Sequence, residues 1–282
     1  MAGLRVHALN CGTMCPLARR FINGDGGVFQ RGRMICQCLL VELPTGLLLV
    51  DSGIGTEDCR LGFGGVFNAL GAPRYGLGEC AVAQVAALGF DPRDVRDIVV
   101  THLDLDHAGG LPDFPQARVH LHAREHAAAA APPTFAERQR YLRRHFQAVQ
   151  RWETYAAHSG AGFFGFEAVR DLRGLPPEVL LVPLHGHSRG HSGVAVHTEQ
   201  GWLLHGGDAW FSQGDLCDPP TTPGGLRLFQ RLAAVDNAER LRNQVRLRAL
   251  AQAGHPDLRL ISAHDPRDLA PRDLAAGAAP SA

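Results

Sequence analysis

The 282-residue chain contains no lysine: all 28 of its basic residues are arginine. That excludes a Schiff-base lysine and a phosphate-cradling P-loop lysine. The glycines Gly62, Gly64 and Gly65 agree, because no G-x-G-x-x-G spacing builds a dinucleotide loop around them. Net charge is missing too. Twenty-eight acidic residues offset the arginines, so no global field draws the chain to nucleic acid or to an anionic membrane. No apolar run approaches the roughly 20 residues of a membrane span. Met1 to Asn10 lacks the charged-then-apolar order of a secretory leader. The expectation is a cytoplasmic protein with a small-molecule substrate and neither a nucleic-acid nor a membrane partner. Oligomeric state is left open, a homodimer being admissible.

A disulfide framework is also absent from the pattern. The seven cysteines, Cys11, Cys15, Cys36, Cys38, Cys59, Cys80 and Cys217, are odd in number and scattered, as reduced thiols would be. Neither Cys11-x₃-Cys15 nor Cys36-x-Cys38 has the paired C-x₂-C spacing of a structural zinc site, so both are read as buried or idle thiols. No G-x-S-x-G serine-nucleophile elbow is read in the chain.

What the chain has in excess is histidine, 15 residues, which points toward metal chemistry. Around the histidines the coarse pattern alternates. A β-hairpin is expected over 38–51, turning at Pro44-Thr45-Gly46. A glycine-rich loop over 54–78 follows, then a short helix over 81–88 closed by Gly89. Contiguous Ile98, Val99 and Val100 mark a buried strand, and 118–122 the next one. Leu142, Phe146, Val149 and Trp152 fall at helical spacing, so 134–155 is read as one helix inside a helical insertion over 123–160. The arginines of 138–151 are read as its solvated face. Strands return at 179–184, 193–199, 202–205 and 258–262, with a helix over 237–253 capped by Asp236 and stopped by Gly254. This order suits an α/β protein with two sheets between helical layers. A single domain over 1–274 is expected, with a frayed tail over 275–282.

The chemistry concentrates in His102-Leu103-Asp104-Leu105-Asp106-His107, which lies between a buried strand and Gly109-Gly110. Four candidate ligands in six positions, imidazole and carboxylate together, suit Zn²⁺, Fe or Mn²⁺. The bland alternative is a polar loop with helix-capping aspartates. His120, His122 and His126 are read as surface or packing residues. His185 is read as either supporting or merely buried, His191 as supporting, and His205 as core.

This H-x-D-x-D-H segment resembles the H-x-H-x-D-H signature of the metallo-β-lactamase superfamily. Further signatures follow in order: Asp51 after a strand, Gly186-His187-Ser188, Gly207-Asp208-Ala209 and Ser262-Ala263-His264-Asp265. The resemblance implies a four-layer αββα sandwich. It also implies two divalent metal ions, zinc first, with His102, Asp104 and His187 at one and Asp106, His107 and His264 at the other. Asp208 would bridge them and Asp51 would brace the metal loop. The departure is Asp104, which stands where the signature has histidine. A carboxylate hardens the site and opens it to iron or manganese.

The implied activity is hydrolytic: a hydroxide shared by two metals attacks an ester, lactone or thioester carbonyl, with Asp106 orienting it and shuttling its proton. The nearest look is the lactonase branch. There a tyrosine follows shortly after the bridging aspartate, whereas here Ala209-Trp210-Phe211 follow. The alternatives are a diiron oxidoreductase or oxygenase of the same superfamily, a phosphodiesterase, and a non-catalytic metal-binding protein.

Overall fold

The computed structural model describes residues 3–63, 68, 71–156 and 162–269. Two sheets stack against each other. The larger orders its strands β4-β1-β2-β3-β5-β6-β7, from β1 (Arg5–Met14), β2 (Met34–Leu43), β3 (Gly46–Val50), β4 (Pro73–Arg74), β5 (Val95–Val99), β6 (Arg118–His122) and β7 (Arg151–Tyr155). The smaller is β11-β10-β9-β8, from β8 (Val179–Pro183), β9 (Ser192–Thr198), β10 (Gly201–His205) and β11 (Leu258–Ile261).

The side-chain period of two makes the layers. Leu39, Val41, Leu48 and Val50 point from the larger sheet into the gap between sheets, where they meet Val179, Leu181, Val194 and Val196 of the smaller. Their neighbours Cys38, Leu40, Leu47 and Leu49 point the other way, onto Val85 of the helix α3 (Ala81–Ala87) and Ala128 of α5 (Ala123–Ala130). Leu180, Val182 and Leu204 leave the smaller sheet outward, onto Leu247 and Leu250 of α9 (Asn237–Gln252). Every strand of this core is thus covered on both faces, which is why it reads as near-continuous apolar sequence. Among the described residues no helix is long and apolar enough to cross a membrane.

The structure corrects the sequence reading in four places. The 134–155 helix does not exist as one unit. It breaks into α6 (Phe135–Arg140) and α7 (Arg143–Phe146), and the chain then enters the sheet as β7. Aromatic and β-branched residues of β7 pair in parallel with β6, from Arg118 opposite Arg151 to His122 opposite Tyr155. That pairing overrides a spacing that looked helical. The first strand, β1, was not expected at all: His7, Asn10 and Thr13 interrupt its apolar run, yet it lies between β4 and β2. The 54–78 segment carries the helix α2 (Thr56–Leu61). Between β10 and α9 runs α8 (Gly224–Ala233), whose Gly-Gly start conceals it. The one-turn helices α1 (Arg19–Ile22) and α4 (Leu105–Ala108) complete the set used below. The expected tail over 275–282 and residues 157–160 of the insertion lie outside the described residues.

Candidate metal centre

Each candidate ligand follows the C-terminal end of a strand, where an open sheet gathers its chemistry on one rim. His102 comes just after β5. Asp104 then starts α4, and that single turn presents Asp106 and His107. His187 follows β8, Asp208 follows β10 and His264 follows β11. Gly207, at φ 53°, makes the reversal that aims Asp208 inward; a Cβ there would lie 2.7 Å from His191 Nε2.

All seven residues come together. Asp208 Oδ2 lies 3.3 Å from His187 Nε2 and 3.8 Å from His102 Nε2. Its other oxygen, Oδ1, lies 3.0 Å from His264 Nε2 and 3.2 Å from His107 Nε2. Asp104 Oδ2 sits 3.1 Å from His187 Nε2 and 3.4 Å from His102 Nε2. Asp106 Oδ2 lies 3.7 Å from His264 Nε2 and 3.9 Å from His107 Nε2. The donor atoms of His102, Asp104 and His187 form one compact group, those of His102, His107 and Asp208 a second, and those of Cys36, Asp106 and His264 a third.

The hydrogen bonds around this cluster decide which atoms face it. His107 donates its Nδ1 proton to Asp51 Oδ2 at 2.9 Å. Thr101 Oγ1 donates to the same oxygen and therefore accepts from His102 Nδ1, 2.9 Å away. His264 donates Nδ1 to the Ile35 carbonyl at 2.7 Å. Three imidazoles are thereby fixed in the tautomer that leaves an Nε2 lone pair pointing inward. Among the described residues, His102 Nε2, His107 Nε2 and Asp208 Oδ1 are buried with no hydrogen-bond partner. Buried acceptors facing one another without a donor are costly unless a cation lies among them, so the residues present fit divalent metal ions.

Electrostatics follow the same crowding. Burial alone would raise the Asp104 carboxyl, but Arg140 and then His102 outweigh it and hold it well below the usual carboxylate range. Asp208 is likewise opposed by burial and pulled well down by His264, His107 and His187. Burial would lower His107, yet Asp208, Asp106 and Asp51 push it well up. A site that so strongly holds anions and protonatable rings together has the charge pattern of a cation site.

Three neighbours of the cluster were not legible in the sequence. Arg140 is not on a solvated face: its side chain is 13% exposed and its Nε stands 3.0 Å from Asp104 Oδ1. Arg144 also turns inward, to Asp58 Oδ1 at 2.8 Å. Cys36 is buried, as expected, and its Sγ lies 4.0 Å from Asp106 Oδ2. Its thiol is pushed well up by burial and by Asp106, so it faces that carboxylate as a neutral group. Glu125 is the third. Fully buried, it accepts from Leu103 N, Tyr141 Oη, Ser188 Oγ and Gly190 N, tying the 102–107 segment to the His187 loop.

The remaining histidines have partners elsewhere. His191 donates Nδ1 to the Leu184 carbonyl and accepts from Asp208 N through Nε2, so both nitrogens are spent in support. His205 donates to the Gln37 carbonyl, and His120 bonds Tyr155 and Asp97 inside the core. His185 holds the His191 carbonyl. Gly186-His187-Ser188-Arg189-Gly190 does spell G-x-S-x-G, contrary to the expectation that this spelling is absent. Ser188 Oγ nevertheless donates to Glu125 at 2.7 Å, and the next element is a strand rather than a helix, so the spelling places no nucleophile.

Beside the cluster lies a cavity of about 140 Å³. Met14, Leu105, Phe211, Phe229 and Ala233 give it apolar lining; Arg140 and the carboxylates of Asp104, Asp106 and Asp208 give it polar lining. Trp210 is buried in the core behind it, and Phe211 stacks on His264 with ring centroids 4.8 Å apart.

Residues 31–255 match the family model of the metallo-beta-lactamase superfamily. A probable metallo-hydrolase of Mycobacterium tuberculosis, Rv2300c, is 37% identical over 264 residues, 93% of this chain and 81% of that protein. The N-acyl homoserine lactonase AttM of Azorhizobium caulinodans is 29% identical over 273 residues, 94% of this chain and 95% of that one. A solved N-acyl homoserine lactone hydrolase, with N-hexanoyl-L-homoserine at its metal centre, superposes at TM-score 0.70. It has 20% identity, over 95% of each chain. The chain belongs to the metallo-β-lactamase superfamily and is one of its metal-dependent hydrolases.

Proposed function

We propose that the chain is a dinuclear hydrolase of carboxylic esters, lactones or thioesters. The observation that carries the reading is the division of Asp208. One oxygen faces His102 and His187, the other His107 and His264. A carboxylate so divided is placed to serve two ions. On this reading His102, Asp104 and His187 hold the first, Asp106, His107 and His264 hold the second, and zinc is the first choice. Two divalent ions, when bound, supply Lewis-acid polarisation of a carbonyl and a water of lowered pKa.

The chain's own residues do the rest. Asp51, Thr101 and the Ile35 carbonyl keep three Nε2 lone pairs aimed inward. Asp106 borders the cavity and is the group to take a proton from the attacking water and return it to the leaving oxygen or sulfur. Phe211, Phe229 and Leu105 exclude water and cover an apolar acyl portion. Similarity to lactonases supports a lactone among the substrates. Asp104 favours a second reading, a diiron redox enzyme, because carboxylate ligands suit iron and manganese.

The test is metal analysis of protein purified without added metal. It is paired with a panel of nitrophenyl esters, thioesters, lactones and phosphodiesters, assayed with and without chelator. Chelator-sensitive turnover of carbonyl substrates by protein holding two zinc ions is expected. Iron content with no turnover of any carbonyl substrate sinks the dinuclear carbonyl-hydrolase reading in favour of the second.

A further inference from the structure

Three carboxylates, Asp104, Asp106 and Asp208, enter the centre, one more than the superfamily signature would place there. The extra one has a partner. Arg140 reaches in from the end of α6, and its Nε lies 3.0 Å from Asp104 Oδ1. The other guanidinium nitrogens are fixed by backbone: Nη1 donates to the His187 carbonyl at 2.8 Å and Nη2 to the Ala233 carbonyl. The head group is thus held by three separate segments, the loop before α4, the His187 loop and the end of α8. It touches two of the three residues in the His102, Asp104, His187 group.

The two oxygens of Asp104 are divided between opposite jobs. Oδ1 faces the guanidinium, while Oδ2 faces His187 and His102 at 3.1 and 3.4 Å. Oδ1 accepts no hydrogen bond among the described residues, so the Arg140 contact is charge against charge rather than a forked bond. Burial makes that charge count, because little water screens a side chain only 13% exposed.

We infer that Arg140 is a positioning residue that makes Asp104 act in place of a neutral imidazole. The guanidinium cancels the added charge and occupies the oxygen that would otherwise let the carboxylate grip an ion with both. Asp104 and Arg140 are then one ligand unit with the net charge of histidine. The inference rests on the metal-centre reading above, but not on which substrate is turned over.

The test reads metal binding rather than activity. Zinc affinity is measured by competition with a chromophoric chelator for wild type, Asp104→His, Arg140→Met and the double variant, each checked by circular dichroism and thermal melting. Asp104→His strands a buried guanidinium beside a cation and should weaken one zinc by tenfold or more. Adding Arg140→Met to it should bring the affinity back to within about threefold of wild type. Arg140→Met alone leaves the site one charge more negative, with both oxygens free, and should raise manganese binding relative to zinc by at least tenfold.

Equal zinc affinities in Asp104→His and the double variant would overturn the assignment, as would an unmoved manganese-to-zinc ratio in Arg140→Met. If Arg140→Met alone fails to fold, the comparison of Asp104→His with the double variant still decides. Should the affinities follow this pattern while wild type cleaves no carbonyl substrate, the carbonyl-hydrolase reading falls and this one stands.

Discussion

Asp51 Oδ2 accepts the Nδ1 proton of His107 at 2.9 Å, from a backbone held at φ 56° immediately after β3. The same carboxylate takes the Thr101 amide at 2.7 Å and the Thr101 hydroxyl at 2.9 Å. One buried acid therefore sets the tautomers of His107 and, through Thr101, of His102. In Asp51→Asn an amide donor can face His107 Nδ1, which pushes the ring proton to Nε2 and removes its lone pair. Metal affinity should fall 10- to 100-fold while the fold persists. Chelator competition beside a circular dichroism spectrum checks this; unchanged affinity would mean that Asp51 serves only the backbone.

Glu125 is the second brace, and it works on stability more than on tautomers. Truncation to alanine leaves the amides of Leu103 and Gly190 and the hydroxyls of Ser188 and Tyr141 without their acceptor. Each buried donor left unmet costs about 1–3 kcal/mol, with water able to recover some of them. A net loss of about 3 kcal/mol is expected, or roughly 10 °C in melting temperature for a chain of this size. The same drop should appear in metal-stripped protein. A loss seen only in the metal-loaded form would mean that Glu125 acts through the ions.

Why some of this was readable and some not follows from how far each signal reaches along the chain. The candidate ligands sit beside strong local features. Ile98 to Val100 announce the strand before His102, and the pair Leu203 and Leu204 the one before Asp208. Local pattern sufficed there. Arg140, Cys36 and Glu125 carry no such mark, because their partners are distant in sequence: Arg140 meets His187, Cys36 meets Asp106 and Glu125 meets Gly190. An arginine at helical spacing reads as solvated until tertiary packing buries it. The 151–155 strand was lost for the same reason. Its partner β6 supplies the hydrogen bonds that decide between helix and strand, and periodicity cannot see a partner.

Phe229 lines the cavity yet remains 42% exposed, with its ring edge-on to Phe211 at 5.6 Å. It touches no candidate ligand among the ring contacts described, so it is placed to hold substrate rather than to act on it. Phe229→Ala should raise KM for long-chain acyl esters about tenfold over the acetyl ester, close to 1.4 kcal/mol of lost apolar burial, with kcat little changed. Steady-state kinetics across an acyl-length series measures this. A change in kcat that is the same for every chain length would place Phe229 in support of the centre instead.

His122 gives the fold a sensitivity to acid that is separable from the metal centre. It lies at the start of α5, where its Nδ1 accepts from Arg124 N, and its ring packs on His185 at 4.6 Å. Burial, then His185 and Arg124, pushes it down to about 4. The unfolded chain protonates this ring near its ordinary value of about 6.5, so below that pH the unfolded state binds a proton that the folded state refuses. The stability His122 contributes is therefore full above about 6.5 and drains away as the pH falls toward 4. His122→Asn keeps a helix-capping acceptor and removes the titration. Urea unfolding of wild type and variant, compared at pH 7 and 4.5 in matched buffers, should show the variant losing less, by on the order of 2 kcal/mol. Parallel losses in the two proteins would show that His122 accepts its proton without unfolding, through an opening of the His122–His185 contact that costs little.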